Sequence, residues 1–293
     1  MHFIIREFKR VFIHIRWPLQ SYIILGFLFS LIVNKIQLSS ELVFGFIAWS
    51  LFFAGTVVFN SYYDKDEDPV AGLSNPPKVH ISMLYSSLLM KFIGLLIVIF
   101  LNNSLFLITY ILAFISSILY SHKNFRLKSN GYLALFFNFT IGAMTFVLAS
   151  SFSETDILLT ILGSFVSGFF ILSVYLMTQI HQIKEDKERG DISVAVMYGK
   201  RMTLSVSIIL MSIASILAIV LLVISWVPIL YVYIFIVDFI LVLLFSYLWL
   251  KKKENVLSDF KIMNKLTFNI SYAANIILII IYIDLVGLTK IEC

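Results

Sequence analysis

The sequence predicts an all-α, polytopic membrane protein with about nine transmembrane helices. Hydrophobic residues make up 60% of the 293 positions, charged residues only 13%, and the mean hydropathy is +0.96. Such a composition is too apolar for a surface that faces water. The apolar stretches recur from Trp17 to Leu285 with no long polar region between them. We therefore expect residues 1–293 to form a single integral membrane domain.

A transmembrane helix needs about 20 predominantly apolar residues. Segments of roughly that length lie at 17–35, 41–60, 83–101, 104–121, 131–151, 157–178, 203–224, 227–250 and 267–286. Only the short stretches Asn102–Ser104 and Ser225–Pro228 separate the third helix from the fourth and the seventh from the eighth.

The N-terminal segment, residues 1–16, mixes basic and apolar side chains. Its basic residues are Arg6, Lys9, Arg10 and Arg16. At helical spacing they fall largely opposite the apolar side chains, which predicts a cytoplasmic helix lying on an anionic leaflet. A frayed basic tail is the alternative.

The distribution of positive charge predicts how the protein is oriented in the cell membrane. With the N-terminus in the cytoplasm, 19 of the 22 Lys and Arg residues lie in the N-terminal segment or in cytoplasmic loops. This agrees with the positive-inside rule. The net charge of +5 thus has a topological cause and does not indicate a nucleic-acid partner. The single cysteine, Cys293, excludes an intrachain disulfide and a cysteine metal site.

A first acidic segment follows the second predicted helix. Asn60, Asp64 and Asp68 are spaced i, i+4 and i+8, so on a helix they project from one face. Carboxylate and amide oxygens are ligands for Mg²⁺, which keeps further positions open for phosphate oxygens. The column predicts a metal–diphosphate site, although a solvated acidic loop is an alternative.

A second acidic segment follows the sixth predicted helix. Gln182, Glu185 and Asp186 share a helical face, and Gly190 is expected to end the helix and let Asp191 turn inward. Two such clusters facing one cavity would hold more than one cation around a diphosphate. The two acidic segments together therefore indicate a metal–diphosphate site more strongly than either segment alone.

Basic residues on the same side offer contacts for the diphosphate. Arg126 can fork onto phosphate oxygens and Lys128 offers a point charge, both between the fourth and fifth helices. The alternative is that they only satisfy the positive-inside rule.

These residues resemble the motifs of the UbiA superfamily of intramembrane prenyltransferases. Asn60-x3-Asp64-x3-Asp68 resembles the family's first aspartate-rich motif, and Gln182-x3-Asp186-x3-Gly190 resembles the second. Arg16-Trp17-Pro18 is similar to the family's start, and Tyr120-Ser121 with Arg126-x-Lys128 is similar to the end of its fourth helix. The resemblance covers nearly the whole chain.

The resemblance implies a helical bundle around a central cavity, with Mg²⁺ held by the two motifs. The implied reaction is ionisation of an isoprenoid diphosphate and transfer of the prenyl group to a lipophilic or aromatic acceptor, with membrane lipid around the protein. The implied metal ligands are Asn60, Asp64, Asp68, Gln182, Glu185, Asp186 and Asp191, of which Asp64, Asp68 and Asp186 are the implied catalytic residues.

The chain departs from the family pattern at two places. Gln182 stands where many members have an aspartate, which makes it a weaker Mg²⁺ ligand, and Glu185 would compensate. The stretch Asn75–Lys78 replaces an arginine-proline pair, so the phosphate contact expected from that arginine is either missing or passes to Lys78, which then joins Arg126 and Lys128 as an implied diphosphate contact.

Other functions fit the sequence less closely. A terpene cyclase on the same scaffold would use the same motifs without an acceptor, and an inactive relative would retain the fold. A transporter would place carboxylates at mid-depth, where only Asp238 lies. We expect Asp238 to face the bundle interior or a wet cavity, and Lys91 to snorkel or to pair with a carboxylate.

Overall fold

The computed structural model describes residues 2–253 and 255–289. Within these ranges the chain is helical, without a β-strand, as the sequence predicts. Its α-helices are α1 His2–His14, α2 Trp17–Val33, α3 Ser40–Asp64, α4 Ile81–Phe100, α5 Ser104–Ser121, α6 Gly131–Ser150, α7 Ile157–Gln179, α8 Ile183–Arg189, α9 Val194–Ile224, α10 Ile229–Leu250 and α11 Val256–Thr289. Short 3₁₀ turns lie at Leu127–Ser129 and Ile180–Gln182.

The number of spanning helices agrees with the prediction. In the described ranges eight helices are long and apolar enough to cross a membrane, and a ninth is added if α1 and α2, bent by 50°, count as one span. α2 starts with Pro18 in its first turn, a position where the missing N–H of proline leaves no helical hydrogen bond unmade. The chain is therefore a multi-pass membrane protein.

Two helices differ from the predicted segments. α11 begins at Val256 rather than at 267, although three charged residues interrupt the apolar pattern there: Asp259 is buried against Lys200 and Trp249, whereas Lys261 and Lys265 are exposed. α9 begins at Val194 but is broken at Gly199, whose φ of 73° lies in the left-handed region that favours glycine. Its long apolar part runs from there to Ile224, close to the predicted 203–224.

Small residues allow the central helices to approach closely. A Cβ at Gly142 of α6 would lie 2.6 Å from the carbonyl oxygen of Ser167 on α7. Packing of this kind replaces the hydrophobic driving force that water gives soluble proteins. Ser30 of α2 donates to the carbonyl of Phe146 at 3.0 Å, which fixes α2 against α6.

The two ionisable residues expected inside the spans lie in different surroundings. Lys91 is fully buried, and its Nζ donates to Ser117 Oγ at 2.8 Å and lies 4.4 Å from the centre of the Phe59 ring. The prediction that it snorkels or pairs with a carboxylate is wrong, because a hydroxyl and aromatic faces surround it instead. Asp238 lines an internal cavity, as predicted.

Candidate active site

A cavity of about 270 Å³ opens inside the bundle, among α2, α3, α5, α6, α7 and α8. One end is polar and lies where α3, α5 and α7 end and α6 begins. That end is lined by Asn60, Asp64, Asp66, Lys128, Gln182, Asp186, Arg189 and Asp191. The other end is mainly apolar and is lined by residues such as Phe53, Val57, Ala113, Phe137, Ile141 and Ile171. The two predicted acidic segments therefore meet at one cavity.

The first acidic segment enters the cavity from the end of α3. Asn60 and Asp64 lie on its last turns and line the cavity. The helix stops at Asp64 because Lys65 adopts a left-handed conformation, with φ of 54°. Asp68 is consequently exposed and outside the lining, so the predicted column of three residues on one helix is wrong at Asp68. Its assignment as a metal ligand stays a prediction.

Asp66 reaches the cavity in place of Asp68. Arg189 Nη2 donates to Asp66 Oδ1 at 2.6 Å, and Arg16 Nη2 donates to Asp66 Oδ2 at 3.3 Å. Arg16 also donates to Ser61 Oγ at 3.0 Å. No site role was predicted for Asp66, Arg16 or Arg189 from the sequence. The sequence features that could have identified them are their positions: Asp66 lies in the acidic run that contains Asp64, Arg16 precedes Pro18 by two residues, and Arg189 directly precedes Gly190.

The second acidic segment contains α8 and lies at the polar end of the cavity. Gln182 and Asp186 line the cavity, and Ser193 Oγ donates to Asp186 Oδ2 at 2.8 Å. Gly190 ends α8 with φ of 78°, and the Asp191 N–H returns to the Asp186 carbonyl at 2.9 Å. Asp191 is thereby turned inward and lines the cavity, as predicted. Glu185 lies outside the lining and forms an ion pair with Arg189.

The connection between α5 and α6 joins the two acidic segments. Ile192 donates through its N–H to the Ser129 carbonyl, and Gly131 donates to the Ile192 carbonyl, each at 2.8 Å. This pairing places Arg126 beside Asp191. Arg126 Nε donates to Asp191 Oδ1 at 3.1 Å, and Arg126 Nη2 donates to Asp191 Oδ2 at 2.8 Å. The hydrogen bonds to Asp191 raise the pKa of Arg126 above its ordinary value. The fork is therefore a charge-assisted, bidentate pair.

Lys128 faces the first segment from the same connection. Its Nζ donates to Asn60 Oδ1 at 2.7 Å and forms an ion pair with Asp64, while Ser121 Oγ donates to Asn60 Oδ1 at 2.9 Å. Lys78, the third predicted phosphate contact, is exposed and is not part of the cavity lining. It follows Pro76 and Pro77 on the connection between α3 and α4.

The side chains at the polar end fit a hard divalent cation. Their oxygens come from carboxylates and amides, the ligands that Mg²⁺ takes in proteins. In the described ranges no three His, Cys, Asp or Glu side chains come close enough to hold a metal between them. Mg²⁺ typically uses one or two carboxylates and completes its shell with water and substrate phosphate. Asp64 at the end of α3 and Asp186 on α8 both line the cavity and supply two such carboxylates.

Comparison with known proteins identifies the family. The model of the UbiA prenyltransferase family matches residues 22–271. No curated protein sequence matches the chain. Among solved structures, digeranylgeranylglyceryl phosphate synthase has a TM-score of 0.63 at 19% identity, covering 96% of this chain and 99% of that one.

Structures of two UbiA homologues have the same fold. A UbiA homologue from Archaeoglobus fulgidus, solved with DMAPP and Mg²⁺, has a TM-score of 0.62 at 18% identity and covers 90% of this chain and 98% of its own. The apo structure of a UbiA homologue from Aeropyrum pernix K1 has a TM-score of 0.59 at 17% identity, with 88% and 94% covered. These likenesses show the fold, and the sequence match over most of the chain shows the family. The chain is a membrane-embedded prenyltransferase and belongs to the UbiA prenyltransferase family.

Proposed function

We propose that the protein is a Mg²⁺-dependent enzyme that ionises a polyprenyl diphosphate and transfers the prenyl group to a lipophilic or aromatic acceptor. The observation that carries the proposal is the meeting of Asn60 and Asp64 with Gln182, Asp186 and Asp191 at the polar end of one cavity. The Archaeoglobus fulgidus homologue solved with DMAPP and Mg²⁺ supports the same pairing of metal and substrate. Another structure of that homologue contains GPP and Mg²⁺.

The residues at the polar end divide into metal and phosphate ligands. Asp64 and Asp186, helped by Asn60, Gln182 and Asp191, would hold Mg²⁺ against the diphosphate. When bound, Mg²⁺ would neutralise the negative charge that develops on the leaving diphosphate. Among the sequence-predicted ligands, Asp68 and Glu185 lie outside the cavity lining, so the proposal depends on the other five.

The basic side chains already stand beside these carboxylates. Lys128 pairs with Asp64, Arg126 with Asp191, and Arg189 with Asp66. A cation taken up by the carboxylates would release these side chains to donate to phosphate oxygens, with which an arginine fork makes two parallel hydrogen bonds. Arg16, buried at the same end, adds a further positive charge. Together they favour departure of the diphosphate.

The apolar end of the cavity suits the prenyl chain. During ionisation the bond between the first prenyl carbon and the diphosphate oxygen breaks, and both electrons leave with the diphosphate. The acceptor then supplies the electron pair for the new bond and loses a proton. Phe53, Phe137, Tyr120 and Tyr175 line the cavity, and their ring faces can stabilise a passing allylic cation. Walls that exclude water also protect that cation from hydrolysis.

The orientation and the acceptor complete the proposal. We place the polar end and the N-terminus on the cytoplasmic side, because that side then carries most of the Lys and Arg residues. The charged diphosphate group of the substrate would then lie toward the cytoplasm, while a lipophilic acceptor would enter from the membrane.

The test is release of diphosphate by the purified protein in detergent. Prenyl diphosphate, Mg²⁺ and candidate acceptors are supplied together and then omitted one at a time, and products are identified by mass spectrometry. We expect release and a prenylated acceptor only when all three are present, with activity lost on chelation and restored by Mg²⁺. Turnover without any acceptor, giving a cyclic product, would indicate a cyclase. No turnover of any prenyl diphosphate would contradict the proposal.

A further inference from the structure

A second cavity of about 60 Å³ lies beside the apolar end of the active-site cavity. It is enclosed by α2, α6, α7, α9, α10 and α11. Its walls are mainly apolar and aromatic, including Phe29, Phe170, Phe235 and Phe239, with Asp238 on the α10 side. None of the site residues predicted from the sequence lies in its lining.

The second cavity lies deeper in the bundle than the active-site cavity. Along α7 the polar end is marked by Gln179 and the apolar end by Ile171, eight residues or about 12 Å further in. The second cavity continues along the same helix from Ile171 to Val166, about 8 Å deeper. A prenyl chain that extends from a diphosphate at the polar end therefore points toward it.

Two side chains separate the cavities. Tyr22 and Ile171 line both of them, and no other described residue does. Tyr22 is only 4% exposed, and its ring stacks on Phe268 at 5.7 Å and meets Phe170 edge-on at 6.2 Å. These contacts hold the ring in place, because a close-packed interior leaves a large side chain little room to turn.

We propose that Tyr22, together with Ile171, forms a partition that limits the length of the prenyl chain the enzyme accepts. This inference rests on the proposed function. With the partition in place the chain must end at Tyr22 or bend away, and longer substrates bind poorly. Without it, the second cavity becomes an extension of the prenyl site. Tyr22 is thus a specificity-determining residue.

The test compares Tyr22→Ala with Tyr22→Phe in assays with C10, C15 and C20 prenyl diphosphates. Tyr22→Phe retains the ring, so its length preference should equal that of the wild type. Tyr22→Ala should raise kcat/KM for the C20 substrate relative to the C10 substrate by at least about 10-fold, since a single methylene in an apolar pocket is worth about that much. Ile171→Ala should shift the ratio in the same direction and serves as the test if Tyr22→Ala does not fold.

A second substitution locates the effect. Ala214 lines only the second cavity, is 2% exposed and lies on α9. Adding Ala214→Leu to Tyr22→Ala refills the second cavity, so the ratio should return toward the wild-type value. The partition would be overturned if the C20-to-C10 ratio of kcat/KM were unchanged in both Tyr22→Ala and Ile171→Ala. It would also be overturned if Ala214→Leu did not reverse the shift. In either case, turnover by the wild type would leave the proposed function intact. A wild type inactive on every length would instead refute the proposed function.

Discussion

Asp186 and Glu188 lie on the same short helix but face different surroundings. Asp186 lines the cavity, whereas the Glu188 side chain is 66% exposed and only approaches Lys184, at 3.9 Å. We predict that Asp186→Ala lowers kcat/KM by at least about 100-fold, the scale of losing one group that stabilises transition-state charge. Glu188→Ala should retain wild-type activity. Equal activity of the two variants in the diphosphate-release assay would contradict the assignment of Asp186.

Replacing Gln182 by aspartate tests the same site by strengthening one of its proposed metal ligands. It lines the cavity next to Asp186 but supplies a neutral amide oxygen. A carboxylate binds Mg²⁺ more strongly than an amide, so Gln182→Asp should lower the Mg²⁺ concentration needed for half-maximal activity, or leave it unchanged. Titration of activity with Mg²⁺ measures this. A large increase in the required concentration would mean that Gln182 does not face the metal.

Residue spacing predicted much of the site but not all of it. Periodicity identified Asn60 and Asp64, and the glycine at position 190 correctly predicted the inward turn of Asp191. The predicted helical spacing failed at Asp68, because such spacing holds only while the helix continues, and α3 ends before Lys65. Asp66, Arg16 and Arg189 were missed since their contacts join residues far apart in the sequence, and no local pattern encodes such distances.

At the scale of helices, a buried ion pair connects the start of α9 with the start of α11, beside the end of α10. Lys200 Nζ donates to Asp259 Oδ1 at 2.7 Å, and Trp249 Nε1 donates to the same oxygen at 2.7 Å. Both charged side chains are 3% exposed. Lys200→Met leaves Asp259 buried without its cation, which should destabilise the protein by about 3–5 kcal/mol.

Thermal unfolding in detergent measures that loss. Replacing both partners, as Lys200→Met with Asp259→Leu, should recover part of the stability, because no unpaired charge then remains. A single variant as stable as the wild type would contradict a structural role for the pair. The start of α11 was predicted too late because Asp259, Lys261 and Lys265 interrupt the apolar pattern, although the helix continues through all three.

At the scale of the whole molecule, the number and order of helices followed from hydropathy, because a membrane requires long apolar segments with internally bonded backbones. The distribution of Lys and Arg residues predicts the orientation. Glu188 and Ser153 are exposed and lie at opposite ends of α7 and its continuation. In a Cys293→Ser background, Glu188→Cys should react with an impermeant maleimide only from the cytoplasmic side, and Ser153→Cys only from the outside. Reaction of both from one side would contradict the topology.

A central cavity was predicted, but the shapes of the two cavities could not be predicted from the sequence. Their shape depends on which aromatic side chains turn inward, and with 28 Phe and 14 Tyr in the chain most such residues face lipid or pack between helices. Tyr22 and Ile171 carry no motif that would single them out. Only packing in three dimensions places them between the two cavities.

The most direct measurement is to locate a bound metal. Crystals or frozen particles of the protein could be prepared with an unreactive prenyl thiodiphosphate and Mn²⁺, which replaces Mg²⁺ and is identified by its anomalous signal in a crystal. We expect manganese within coordination distance of the thiodiphosphate, with oxygens of Asp64 and Asp186 among the ligands on the two sides of the cavity. Manganese bound by one acidic segment alone, or outside this cavity, would contradict a site that both segments share.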